Sequence, residues 1–205
     1  MEVFMKKNGF FSAKRITGIA VLLALVIVLQ MLGGYFKIGA TSLSFVLVPI
    51  VLGGILYGPY VGGFLGFAFG FITLMYGVTG ADPFTAILFQ EQPIATALLC
   101  LVKGTAAGLV SGFLYQMIAK KQKYVGVFAA AAAAPIVNTG LFIAGSLLFL
   151  KETLQTNFVA EGSTLVYFLF IGCAGINFLV ELAINLIFAP TLYRLMGVLD
   201  KGNKR

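Results

Sequence analysis

Apolar residues in this chain run in six long blocks, divided by short stretches where glycine, proline and charged residues gather. The blocks are Ile16 to Leu32, Leu43 to Tyr57, Val61 to Val78, Pro93 to Met117, Val125 to Leu150 and Leu165 to Pro190. At about 1.5 Å of rise per residue, each is long enough, or nearly so, to cross a hydrocarbon core of about 30 Å. The pattern predicts an all-α, polytopic membrane protein: six transmembrane helices forming one domain over residues 1–205. The second block is short and Pro49 is expected to interrupt it, which predicts a segment that is irregular, tilted or partly wrapped by its neighbours. Gly58-Pro59-Tyr60 predicts a tight turn. Glycines recur every fourth residue at 58, 62, 66 and 70 and again at 104, 108 and 112. That spacing puts them in one groove of a helix, where another backbone can come close. The alanine run 129–134 offers a similar smooth face.

Charge orients the blocks. Of the fourteen Lys and Arg residues, eleven fall on one side when the N-terminus is placed inside: Lys6, Lys7, Lys14, Arg15, Lys120, Lys121, Lys123, Arg194, Lys201, Lys204 and Arg205. Only Lys37 and Lys151 fall in the opposite loops, and Lys103 lies within a block. The excess of Lys and Arg marks the cytoplasmic side, so both termini are expected in the cytoplasm. The basic, then apolar start resembles a signal peptide, but no small-residue cleavage site is evident before Tyr35 and five blocks follow, so the first block reads as a retained helix.

Composition agrees with this reading. The chain is 60% hydrophobic and 10% charged, with mean hydropathy +1.02, whereas soluble domains carry about 25% charged residues. The formal charge of +7 sits at block ends, where it meets anionic lipid, and nucleic acid is not an expected partner. Histidine is absent, which removes the HExxH zinc proteases and any Ser/His dyad. Cys100 and Cys173 lie within the fourth and sixth blocks without CxxC spacing and read as small buried apolar groups. No GxxxxGK[ST] loop occurs, so the chain is not expected to bind ATP itself.

Chemistry therefore rests on polar residues inside the blocks. Lys103 and Glu181 are ionisable groups whose insertion costs about 2.5 to 3.5 kcal/mol each, so each calls for a partner or a role. Lys103 is ten residues from the outer end of its block and Glu181 sixteen, a depth difference of about 9 Å that long side chains can bridge. An ion pair tying two helices is one reading. Asn138 and Asn177 each lie twelve residues in, about 3 Å below Lys103. If the three converge, they form a cationic, amide-lined pocket suited to a small solute bearing a carboxylate. Each asparagine alone also serves as interhelical glue. The expected outer loops are 33–42, which carries Tyr35, a second holding Asp82 and Gln90-Glu91-Gln92, and 151–164. They are longer and more polar than the cytoplasmic turn, as expected where a solute is admitted.

The stretch Ser42 to Gly66, SLSFVLVPIVLGGILYGPYVGGFLG, resembles the second and third helices of S components, the substrate-binding membrane subunits of energy-coupling factor (ECF) vitamin importers. Gly80-Ala-Asp-Pro-Phe84 and Cys100-Leu-Val-Lys-Gly-Thr-Ala-Ala-Gly108 resemble the pantothenate-type branch. The resemblance implies capture of a water-soluble vitamin, pantothenate first, with Lys103, Asn138, Asn177, Tyr35, Gln92 and Glu181 as substrate-binding candidates. It implies no enzymatic activity, no metal and no cofactor in this chain, and location in a prokaryotic cell membrane. The implied partners are a transmembrane coupling subunit and two cytoplasmic ATPases that consume ATP. Ala20 and Ala24 match the family's Ala-xxx-Ala contact with the coupling subunit, and small residues at i and i+4 do make a flat patch. Alternatives are an S component for another vitamin or precursor, of the folate, cobalamin, pyridoxine or hydroxymethylpyrimidine type, or an autonomous carrier.

Overall fold

The computed structural model describes residues 13–33, 37–38, 41–42 and 45–202. The chain begins with helix α1 (Ala13–Gly33) and a two-residue antiparallel pair, β1 (Lys37–Ile38) and β2 (Thr41–Ser42), in the register Lys37↔Ser42 and Ile38↔Thr41. Helices α2 (Leu47–Tyr57), α3 (Pro59–Thr79), α4 (Pro83–Glu91), α5 (Pro93–Ile118), α6 (Lys123–Phe149) and α7 (Lys151–Phe158) follow. The last block starts as a single turn, α8 (Leu165–Tyr167), passes through a π-helical segment at Phe168–Cys173 and continues as α9 (Gly175–Gly202). Five helical segments among the described residues are long and apolar enough to cross a membrane, and α2 is a shorter apolar helix.

Prolines and glycines set the breaks. Pro49 does not interrupt α2 as expected. It lies in the first turn, where its missing N–H breaks no helical bond. Gly58 adopts φ 101° between α2 and α3, a conformation open mainly to glycine, and Pro59 then starts α3. The Asp82 carboxylate caps α4, accepting from the Thr85 N–H at 3.1 Å and the Thr85 hydroxyl at 2.6 Å. Arg15 Nη2 donates to the Tyr57 carbonyl at 2.9 Å, which places a cation on the last turn of α2.

With eleven residues, α2 rises only about 16 Å and cannot span alone. Leu47, Ile50 and Val51 are fully buried, so the neighbouring helices enclose it. Its floor is made by the glycine ladders. A Cβ on Gly62 would stand 2.6 Å from the Gly108 carbonyl oxygen, and one on Gly66 or Gly70 would overlap the carbonyls of Gly104 or Cys100. Helices α3 and α5 therefore meet backbone to backbone. Ala130, Ala131 and Ala134 of α6 pack into the same core with Leu65, Phe69, Ala189 and Leu192. A second apolar cluster, Phe84, Leu88, Leu150, Leu154, Leu165, Leu169 and Cys173, occupies the end of the bundle that carries α4 and α7. There Asn157 Nδ2 donates to Glu91 Oε1 at 2.8 Å, and the Phe84 and Phe158 rings lie 4.9 Å apart. Large apolar side chains face outward on every long helix, among them Val21, Phe64, Ile94, Leu148 and Ile187. A soluble domain would hide such a surface, and lipid covers it here.

Candidate substrate cavity

Between the two apolar clusters lies a cavity of about 120 Å³ walled by α1, α3, α4, α5, α6, the π segment and α9. Helix α5 presents Thr96, Leu99, Cys100 and Lys103, spaced so that they share one face. Helix α6 adds Asn138, Thr139 and Phe142, and α9 adds Asn177 and Glu181 one turn apart. The facing wall holds Gln30, Thr73, Tyr76 and Asp82, with Phe69 and Phe84 as apolar contacts.

Lys103 is half-buried, and its Nζ stands 5.1 Å from the centroid of the Phe142 ring, within cation–π range. The ring face stabilises the ammonium electrostatically within the cavity lining. Asn177 Nδ2 donates to the Cys173 carbonyl at 3.3 Å, which ties the amide to the π segment. Asn138 is only 7% exposed and Thr96 2%. Asn138 Oδ1 and Thr96 Oγ1 have no hydrogen-bond partner among the described residues. On the facing wall Gln30 Nε2 donates to Thr73 Oγ1 at 3.2 Å, and that hydroxyl donates to the Phe69 carbonyl at 3.0 Å.

Four residues singled out from the sequence, Lys103, Asn138, Asn177 and Glu181, thus line one cavity. Gln92 does not join them; it is exposed at the junction of α4 and α5. Tyr35 lies outside the described residues. Ala20 and Ala24 are exposed on α1, away from Leu22 and Val26, which face the core. Sequence reasoning missed Thr96, although it stands seven residues before Lys103 and so on the same helix face. It also missed Gln30 and Thr73, isolated polar residues in otherwise apolar helices; Asn185, buried one turn beyond Glu181, donates to the Glu181 carbonyl at 2.8 Å and lies outside the cavity lining. Among the described residues, no group of three or more His, Cys, Asp and Glu side chains could hold a metal ion.

The ECF transporter substrate-specific component family matches the chain over residues 14–193, from the start of α1 to the middle of α9. The chain belongs to that family. No curated protein sequence matches it significantly. As an S component it is the substrate-capture subunit of an ECF transporter, a multi-pass membrane protein that associates with coupling and ATPase subunits. The match covers every helix that lines the cavity, which makes that cavity the S component's candidate substrate site.

Proposed function

We propose that this S component captures pantothenate in the cavity between α5, α6 and α9. The observation that supports this reading is the meeting of Lys103 with the buried amides of Asn138 and Asn177 on one cavity wall. A carboxylate placed there gains a charge-assisted hydrogen bond from Lys103, and the amides fix its orientation. The apolar contacts from Phe69, Phe84 and Phe142 suit the rest of a small organic solute. The resemblance of residues 80–84 and 100–108 to the pantothenate-type branch directs the choice among carboxylate-bearing vitamins. Glu181 in the same lining favours a second reading, a vitamin precursor with a basic ring of the hydroxymethylpyrimidine or pyridoxine type.

On this reading the chain performs no covalent chemistry and carries no cofactor; partner ATPases in the cytoplasm of a prokaryotic cell supply the energy. Ala20 and Ala24 give the coupling subunit a flat patch on the exposed face of α1. Mass spectrometry of the small molecule retained by the detergent-purified protein tests the assignment. Pantothenate is the expected species, and a basic, carboxylate-free ligand would replace the first reading with the second.

A further inference from the structure

The last membrane-crossing block changes its winding beside the cavity. At Phe168–Cys173 the helix is π, and the Ala174 N–H donates to the Leu169 carbonyl, five residues back, at 2.9 Å. Such a turn holds one residue more than an α turn between the same flanks. Its last residue, Cys173, lines the cavity, and Asn177 and Glu181 follow on the same wall. The Asn177 amide donates to the Cys173 carbonyl at 3.3 Å, so the end of the turn is bonded to a cavity side chain. On the other flank Leu165 and Leu169 are buried in the apolar cluster that includes α4 and α7, and the Phe168 ring stacks on Phe158 of α7 with centroids 6.0 Å apart. Packing holds both flanks, and the π turn sets one against the other. Gly175 is the residue that permits this. An added Cβ there would overlap the Phe170 carbonyl, which is main chain and cannot swing aside. At Gly172, inside the turn, a Cβ would meet only the Phe168 ring, at 3.2 Å. Gly175 itself does not line the cavity.

We propose that Gly175 is a positioning residue for the solute site: by admitting the π turn it fixes the register in which Cys173, Asn177 and Glu181 share the cavity wall. The inference rests on the reading of this cavity as the solute site, and not on which vitamin fills it. A side chain at position 175 displaces the Phe170 carbonyl. If the turn then tightens to α-helical winding, its extra residue rotates one flank against the other by about 100°, the angle of one residue. The flank that yields is the short one, since α8 is a single turn whereas α9 runs for 28 residues. Its rotation carries Cys173 off the cavity wall, breaks the bond that holds the Asn177 amide, and draws Leu165 and Leu169 from the cluster whose Phe84, Leu88 and Leu150 also line the cavity. The same geometry supplies a remedy. Deleting Ile171, whose side chain is exposed, removes the extra residue, and the two flanks then meet through ordinary α-helix in their present register.

Calorimetric titration of the full chain in detergent with pantothenate compares the parent with Gly175→Ala, with an Ile171 deletion and with the two combined. Gly175→Ala should weaken binding about 10-fold or more, the effect of losing at least one hydrogen bond in the site. The deletion, alone or with Gly175→Ala, should bind within about 3-fold of the parent. Gly197→Ala, on the same helix with nothing within 4 Å of an added Cβ, should leave affinity unchanged. Rescue by the deletion marks register as the cause, since general destabilisation by the alanine would be deepened by removing a further residue. A second readout needs no vitamin. In a chain whose Cys100 and Cys173 are replaced by alanine, spin labels at Ile94→Cys and Tyr167→Cys, both exposed positions, should change their separation by about 5 Å in Gly175→Ala and regain it when Ile171 is also deleted. A parent chain that binds no pantothenate would remove that vitamin from the proposal above and leave this one to the spin-label distance. Parent affinity in folded Gly175→Ala, a lost affinity that the deletion does not restore, a deleted chain that does not fold, or an unmoved label separation would overturn it.

Discussion

Lys103 has two possible employments, and they make different demands on Glu181. As the carboxylate partner of the solute, its removal takes one member from a buried charge pair, a loss of about 2 to 5 kcal/mol and so roughly 30-fold to several thousand-fold in affinity. Lys103→Met should show that loss by calorimetry while the protein stays folded. As a tie between helices, Lys103 would instead neutralise Glu181, and Lys103→Met combined with Glu181→Gln should then recover both fold and affinity. Recovery in the double variant would assign the lysine to structure. The Lys103 ammonium lies over Phe142, 5.1 Å from its centroid, a contact compatible with either employment, so the double variant decides between them. At this scale much of the site was legible. An ionisable group in an apolar block is expensive enough to stand out, and similar depth on three helices linked Lys103 to Asn138 and Asn177. Thr96 was not legible in the same way, since a threonine hydroxyl in a membrane helix can bond to its own backbone, as Thr105 does to the Leu101 carbonyl at 2.7 Å. Only the packed structure shows that Thr96 does otherwise.

Among the elements, the glycine ladders were readable as grooves from their four-residue spacing, and the structure identifies their partners as each other. Gly66 illustrates the consequence: any Cβ there overlaps the Gly104 carbonyl, which is backbone and cannot rotate away. Gly66→Ala should destabilise the fold by about 1 to 3 kcal/mol or more, the range for overpacking a tight contact. Gly140 lies on α6 with nothing within 4 Å of an added Cβ, and Gly140→Ala should be neutral or raise stability by about 0.4 to 1 kcal/mol. Thermal unfolding in detergent checks the pair, and equal midpoints would contradict the close α3–α5 contact. The π segment, by contrast, left no mark in the hydropathy. Every fourth residue from Leu165 to Ala189 is buried, including Cys173, Asn177, Glu181 and Asn185. At 3.6 residues per turn such a stripe drifts about 40° with each step. The wider winding at Phe168–Cys173, with the Ala174 N–H reaching back to the Leu169 carbonyl at 2.9 Å, takes up part of that drift. Hydropathy records that a segment is apolar and long, and it is blind to a local change of helical pitch. Helix α4 escaped for a related reason: its nine residues are too few to stand out from the outer loop as a spanning block, whereas Pro93 marks the start of α5 in sequence and structure alike.

For the whole molecule, the division of faces matters most. Helix α1 turns Leu22 and Val26 to the core and Ala20 and Ala24 to the outside. Ala20→Trp with Ala24→Trp should therefore leave vitamin binding intact and abolish uptake in the assembled transporter, because bulk holds the coupling helix away without touching the cavity. Normal uptake at normal expression would contradict that docking face. Orientation rests on the eleven-to-two division of Lys and Arg, and reporter cysteines at positions 3 and 203 should resist a membrane-impermeant reagent in intact cells and react after permeabilisation. Labelling without permeabilisation would reverse the topology. The central claim, that this chain alone captures a vitamin and leaves transport to its partners, meets its most direct test in equilibrium binding of radiolabelled pantothenate to the purified subunit in lipid nanodiscs, without coupling or ATPase subunits. The account predicts saturable binding of one pantothenate per chain, released chemically unchanged and displaced by unlabelled pantothenate. Absence of saturable binding by folded protein, or conversion of the bound vitamin, would contradict it.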